Sequence, residues 1–269
     1  LSLQIITLLT DFGLQDGYVA GMKGVILQIC PDAKLVDISH LIAPQSVRSG
    51  AFVLFACYEY FPHGTIHLAV VDPGVGTERG AVAIRTGSSF FVGPDNGLFS
   101  LILRKETGWE ARRLDNRQFR RSPLSSTFHG RDLFAPVAAH LACGVQFDTL
   151  GPACDPVSPH WDEPIIGRGE VKGEVIHIDR FGNAITNVLS TTLEKQGPVE
   201  KWMVTAGKSA INSIEQTYGR VRTGEPLALT GSTGFIEIAV NQGNAASEFE
   251  LGLGARVTFR LLNARSSPD

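Results

Sequence analysis

The chain has 269 residues, 43% hydrophobic and 19% charged, with 24 basic against 27 acidic side chains for a net charge of -3. That composition is globular and long enough for one large or two ordinary domains, and it excludes a disordered chain. The lack of a basic excess argues against nucleic acid or an anionic lipid surface as partner, and no apolar run approaches the ~18 residues of a membrane-spanning helix.

The first half alternates strand and helix patterns. Ile5 to Thr10 reads as a buried strand. The sequence opens on Leu1 rather than methionine, as a trimmed sequence would, and no basic start makes its apolar opening a secretory leader. Tyr18, Val19, Met22, Val25, Ile26 and Ile29 fall at helical spacing, and Pro31 stops that helix. Lys34 to Ile38 is a short strand, Val47 to Phe61 a second helix, and Ile66 to Val71 another strand. Gly80 to Arg85 and Ser89 to Val92 form a hairpin pattern, and helical stretches follow Asn96-Gly97 and run from Arg131 to Cys143. This alternation predicts an α/β domain with a mostly parallel central sheet over residues 1–160. Residues 161–169, in a stretch rich in proline and glycine, are the expected linker. From 170 to 269 the pattern becomes strands only, which predicts a smaller antiparallel β-barrel domain. The tail from Arg265 to Asp269 is expected to be disordered.

Four cysteines, Cys30, Cys57, Cys143 and Cys154, show no CxxC spacing. They suggest neither a zinc site nor a disulfide scaffold, and a cytoplasmic, reducing setting is the expectation. No histidine pair has metal-binding spacing, so no metal site is expected. His40, His63, His67, His140, His160 and His177 lack glycine-rich company and read as structural or surface groups.

Chemistry concentrates in a few clusters. Thr10 to Gly17 sits where a strand ends and a helix begins, the place where open α/β sheets bind ligands. Asp11 there can accept hydrogen bonds from a ribose diol and Asp16 can pair with an ammonium group; equally, either can cap the following helix. Asp72-Pro73-Gly74-Val75-Gly76-Thr77-Glu78-Arg79 also follows a strand. Asp72 and Arg79 form a natural ion pair across such a loop, although a plain turn with solvated charges fits as well. His129, before a helix that opens with Arg131 and Asp132, is either a proton shuttle or a satisfied helix-start imidazole. In the second domain Phe181 can stack on a base and Asn183 can read its edge with a donor and an acceptor, or Phe181-Gly182-Asn183 is simply a hairpin turn.

Together these segments resemble the S-adenosylmethionine hydroxide adenosyltransferases, adenosine-forming hydrolases related to the fluorinase and chlorinase enzymes. The resemblance runs over nearly the whole chain: TDFGLQDGYVAGMKG (Thr10 to Gly24), VVDPGVGTER (Val70 to Arg79), GPDNGL (Gly93 to Leu98), FHGRD (Phe128 to Asp132), DRFGNAITN (Asp179 to Asn187) and NQGNAA (Asn241 to Ala246). It implies a homotrimer with sites between subunits, S-adenosylmethionine as substrate, adenosine as product, and no cofactor. Asp11 then matches the ribose-diol aspartate and Asp16 the carboxylate near the methionine amino group. Phe181, Asn183, Asn244 and Ala245 match the adenine pocket, while Asp179 and Ser232 match positions near the methionine moiety. Asp72, Arg79 and His129 match the set that marks the hydrolytic branch. The halogenating branch carries a serine at position 130 and an aromatic at position 72, where this chain has Gly130 and Asp72. The implied reaction is attack of water or hydroxide on ribose C5′ in line with the departing sulfur. Arg79 positions the water, Asp72 holds Arg79, and either Asp72 or His129 takes the proton. The competing readings are an S-adenosylmethionine-dependent halogenase, a non-catalytic adenosine or S-adenosylmethionine binder, and an α/β protein for another nucleoside.

Overall fold

Ile5–Thr10 (β1) is buried along its whole length, as a strand covered on both faces of a sheet must be. On one side it pairs in parallel with Lys34–Ser39 (β2), on the other with Thr65–Val70 (β3). Ala81–Arg85 (β4) and Ser89–Pro94 (β5) form the expected hairpin, with β5 parallel to β3, and Glu110–Arg113 (β6) closes the far edge against β4. The order β2-β1-β3-β5-β4-β6 makes the sheet parallel through its middle and antiparallel at that edge. The structure is a computed structural model describing residues 4–159, 161 and 163–262. It divides into two compact units, Leu1–Pro159 and His160–Asp269. His160 and the tail from Arg265 to Asp269 lie outside the described residues.

The order of β1, β2 and β3 places the first site. The chain leaves β1 to one side for β2 and returns to the other side for β3, so a crevice opens between the carboxyl ends of β1 and β3. Thr10 pairs with Val70, so the segments that begin at Asp11 and Val71 leave the sheet side by side. Tyr18–Ile29 (α1) buries Met22 and Ile26 in the same core as Val137 and Leu141 of Ala135–Ala142 (α4).

Two helices differ from expectation. The second, Val47–Phe55 (α2), stops six residues short of Phe61. Cys57 turns to φ -133°, and the 3-10 turn Tyr58–Tyr60 buries the Tyr58 ring while its hydroxyl donates to Glu106 at 2.8 Å. The last opens as a π-helical turn, Gly130–Phe134, before α4. Pro136 has no N–H to give to the Asp132 carbonyl four residues earlier. That carbonyl accepts instead from Arg121 N at 2.8 Å, which ties the 121–128 segment to the turn carrying His129. Ser100–Lys105 (α3) completes the helices of this unit.

In the second unit Ile165–Gly167 (β7), inside the stretch expected to be linker, pairs with Glu170–Ile178 (β8). Ala184–Leu189 (β9), Trp202–Ala206 (β10), Ser209–Ile211 (β11), Ile214–Glu215 (β12), Pro226–Thr230 (β13), Phe235–Val240 (β14) and Arg256–Leu261 (β15) join them. The order β11-β10-β15-β8-β9-β14-β13-β12 curls until its two ends approach, giving a nearly closed barrel around Trp202, Phe259 and Ile236. The pairings are antiparallel except between β12 and β13. Strands are not the whole of it: Ser190–Glu194 (α5) and Ala245–Glu248 (α6) are short helices.

Candidate active site

At the end of β1 neither aspartate caps α1. The cap position is Gly17, with no side-chain hydrogen bond and no acidic residue in the first turn. Asp11 Oδ2 instead accepts from Gln45 N at 2.7 Å, at a residue held at φ 66°, where a side chain is strained. Asp16 is exposed. The loop is pinned from below by His40, which sequence alone reads as structural or surface. Its carbonyl accepts from Gly13 N at 2.8 Å, and its Nδ1 lies 2.9 Å from Thr10 Oγ1. Thr10 Oγ1 accepts in turn from Phe12 N. The other ring nitrogen lies 3.0 Å from Asp37 Oδ1, and Asp37 also pairs with Lys23. Those two partners hold the Asp37 carboxyl below the usual range despite the opposing effect of burial. His40 is therefore a buttress of the Asp11 loop. Its signal was its place at the end of the strand beside β1.

Beside this loop, Asp72 and Arg79 meet as a fork. Nε donates to Asp72 Oδ1 at 2.8 Å and Nη2 donates to Oδ2. Both side chains are largely buried, at 5% and 11% exposure, so the plain-turn alternative with solvated charges does not describe them. The loop folds this way because Gly76 adopts φ +77° and lies against the Ser126 carbonyl, where a Cβ would sit 2.4 Å from that oxygen. Asn96, two residues past β5, donates from Nδ2 to Val71 O at 2.9 Å and so fixes the backbone just before Asp72.

His129 completes the cluster. Arg79 Nη2 lies 2.8 Å from His129 Nδ1, and a guanidinium can only donate. Nδ1 must therefore accept, and the proton of the neutral ring sits on Nε2. Burial and the neighbouring Arg79 both push the His129 pKa below its ordinary 6.5, which keeps the ring neutral at pH 7. Of the five guanidinium protons, Nε gives one to Asp72, Nη2 gives one each to Asp72 and His129, and Nη1 gives one to Gly80 O. One Nη1 proton is left over. The guanidinium also lies 5.2 Å from the centre of the Phe134 ring. Asp132, buried just past His129, is the anchor that sequence did not single out. It accepts from Arg131 at 2.7 and 2.8 Å and from Ser125 N at 3.1 Å. Position 130 is filled by its neighbours: a Cβ there would meet Met22 Sδ at 3.2 Å and the Phe12 ring at 3.3 Å.

The second unit carries a separate cavity of about 800 Å³, lined by Asp179, Phe181, Asn183, Tyr218, Ser232 and Glu237 among others. The tip between β8 and β9 is a hairpin turn tied by Asp179, so the turn reading holds. Its Oδ1 accepts from Phe181 N and Asn183 N, each at 2.9 Å, and its Oδ2 accepts from Asn183 Nδ2 at 2.9 Å. The same turn presents Phe181 with 74% of its surface exposed. Asn183 Nδ2 also donates to Tyr218 Oη at 3.3 Å, and Tyr218 donates to Glu237 Oε2 at 3.1 Å. Burial raises the Glu237 carboxyl above its ordinary value, and burial together with Glu237 lifts Tyr218 to about 12. Asn244 and Ala245 stand behind this cavity rather than in its wall: Asn244 caps α6 by accepting from Ser247 N at 2.9 Å, and Ala245 is fully buried. Tyr218 and Glu237 were not among the sequence candidates. The one signal was a carboxylate at 237 in a strand whose flanking residues are buried.

Among the described residues no group of His, Cys, Asp and Glu has the makings of a metal site, and no helix is long and apolar enough to cross a membrane. The sequence model of the SAM hydroxide adenosyltransferase N-terminal domain matches residues 6–151, and that of the C-terminal domain matches residues 173–258. The chain is 42% identical over 261 residues to the (R)-S-adenosyl-L-methionine hydrolase of Thermus thermophilus, covering 94% of this chain and 98% of that protein. A fluorinase of an Actinoplanes species is more distant, at 27% identity over 94% of this chain and 96% of its own. Among solved structures, an uncharacterised conserved protein from Thermotoga maritima superposes with a TM-score of 0.85 at 36% identity, covering 95% of this chain and 99% of that one.

Proposed function

The chain belongs to the SAM hydroxide adenosyltransferase family, and from that premise we propose that it hydrolyses S-adenosyl-L-methionine to adenosine and L-methionine by attack of water on ribose C5′. The observation that carries this reading is the closed Asp72–Arg79–His129 cluster at the switch point of the parallel sheet. The sulfonium leaves as a neutral thioether, so departure needs neither an acid nor a cofactor. What the reaction needs is an oxygen held in line, about 3–3.5 Å from C5′ and shielded from bulk water.

The hydrogen bonds support the following roles. His129 Nδ1 is occupied by Arg79, so the imidazole cannot take a proton there without expelling the guanidinium. Its Nε2–H is a donor. Each Asp72 oxygen spends one lone pair on Arg79 and keeps another. The cluster therefore offers an N–H donor, from Nε2 of His129 or the unspent Nη1–H of Arg79, to one lone pair of a water oxygen and leaves the other lone pair for C5′. As the C5′–O bond forms, the C5′–S bond breaks and its electron pair stays on sulfur. The protonated 5′-hydroxyl then gives its extra proton to a water that reaches the site as the products leave.

On the substrate side, Asp11 takes the ribose diol with the oxygen not bound to Gln45. Asp16, Asp179 and Ser232 serve the methionine end, Phe181 and Asn183 line the adenine pocket, and Asn244 and Ala245 back it. The assembly is a homotrimer in which a neighbouring subunit completes each site, and its setting is the cytoplasm, in keeping with four free thiols. Chromatography after incubation with S-adenosylmethionine in halide-free buffer tests the reading. Adenosine and methionine in equal amounts are expected. Saturable binding without product would leave a binding protein, and a 5′-chloro nucleoside formed only with chloride would make it a halogenase.

A further inference from the structure

The amide of Asn183 is buried and its two N–H groups are already spent. One goes to Asp179 Oδ2 at 2.9 Å and the other to Tyr218 Oη at 3.3 Å. An amide has two donors and one acceptor oxygen, so only the carbonyl is left for a ligand in the cavity. Two neighbours set this orientation. Asp179 Oδ2 is an acceptor only, and turning the amide over would set oxygen against oxygen. Tyr218 would be ambiguous alone, because a hydroxyl both donates and accepts. Its own proton goes to Glu237 Oε2 at 3.1 Å, which leaves its oxygen to accept from Asn183. The glycine at 231 makes room for this: a Cβ there would lie on the Glu237 carboxylate. Tyr218 and Glu237 both line the cavity with Asn183 and Phe181.

We propose that Glu237 and Tyr218 act as positioning residues that lock Asn183 as a pure acceptor, and that this lock makes the cavity select a 6-amino purine over a 6-oxo purine. A purine whose edge meets Asn183 Oδ1 gains a hydrogen bond if it presents an exocyclic amino group. It sets two acceptors face to face if it presents a carbonyl, which leaves both without a partner in a buried site. The inference rests on the adenine reading of this pocket and adds to it the residues and the sign of the discrimination.

The test is calorimetric titration of the full chain with adenosine and with inosine, which differ only at that edge. The wild-type protein is expected to bind adenosine about ten- to a hundredfold more tightly. Tyr218→Phe and Glu237→Leu should each shrink that ratio several-fold, because the first frees the Asn183 N–H that met the phenol and the second frees the Tyr218 O–H, and either donor can meet a carbonyl with the amide still held by Asp179. Glu237→Gln keeps an acceptor for the tyrosine proton and should keep the ratio. Loss of fold would weaken both nucleosides alike and leave the ratio in place, so the ratio separates positioning from mere structure, and thermal midpoints of the four proteins check folding. Equal binding of the two nucleosides by the wild type, or a ratio unchanged in both Tyr218→Phe and Glu237→Leu, overturns the proposal. Binding of neither nucleoside by the wild type would sink the adenine reading itself, whereas hydrolysis of S-adenosylmethionine with no preference between the nucleosides would sink only the lock.

Discussion

At the carboxyl end of β3 an acid, a guanidinium and an imidazole satisfy one another until the donors left are N–H groups, on Nε2 of His129 and Nη1 of Arg79. At the tip between β8 and β9 an acid, an amide, a phenol and a second acid do the same until acceptors are left, the Asn183 carbonyl and Glu237 Oε1. The two clusters are built from similar residues and present opposite faces. The lesson is that residue type does not assign a role in a buried polar network. The role is whatever valence is left once the internal hydrogen bonds are counted. A donor face suits an attacking water oxygen, and an acceptor face suits an amino group.

The hardest way to break the first cluster is to remove its centre. Arg79→Ala takes away both the partner of Asp72 and the donor to His129, and kcat should fall by about 10²–10³. Arg79→Lys should recover little, because a single ammonium cannot span both Asp72 oxygens and reach Nδ1. A lysine variant with near wild-type kcat in a steady-state assay would mean that charge alone matters. Next in size, His129→Ala should cost about 10–10²-fold, and His129→Gln, which can keep an N–H where Nε2–H points, should cost clearly less. If His129 were the base, the two would fall together.

The pH profile sharpens the same point. Because the His129 pKa is pushed below 6.5 by burial and Arg79, the working neutral ring is fully present above that value. Protonation at Nδ1 sets it against the guanidinium, so kcat should stay flat from neutral pH upwards and decline only on the acid side of 6.5. A rise with pH through the alkaline range would point to hydroxide or to a base the cluster does not contain. The smallest expected effect is that of Gly76→Ala. A Cβ 2.4 Å from Ser126 O, at a positive φ, should lower stability by about 1–3 kcal/mol. It should also loosen Arg79 from His129, read as a drop in thermal midpoint with a several-fold loss of kcat.

Much of this was legible in the chain. Runs rich in apolar residues such as Ile5 to Thr10 mark strands buried on both faces, and the change from alternating elements to strands marks the second unit. The Asp72–Arg79 pair was readable because the six residues between them, two of them glycines, bring the chain back on itself. Other features depend on distant register. His40 reaches Thr10 because Leu9 pairs with Ser39 across β1 and β2. Tyr218 meets Asn183 from 35 residues away, and only the path of the barrel brings them together. The early stop of α2 follows from burial of the Tyr58 ring, a tertiary demand that helical spacing does not contain. A motif names Asn183 without saying which of its groups is free, because that depends on neighbours the motif does not include.

The most direct test of the central claim is to follow the oxygen. S-adenosylmethionine incubated with the protein in halide-free buffer made with ¹⁸O-water should yield adenosine carrying one heavy oxygen at the 5′-hydroxyl and unlabelled methionine in equal amount. Label recovered instead in a homoserine product, with the thioether still on the nucleoside, would put the attack on the methionine side. It would contradict the assignment of the Asp72–Arg79–His129 donors to a water at C5′.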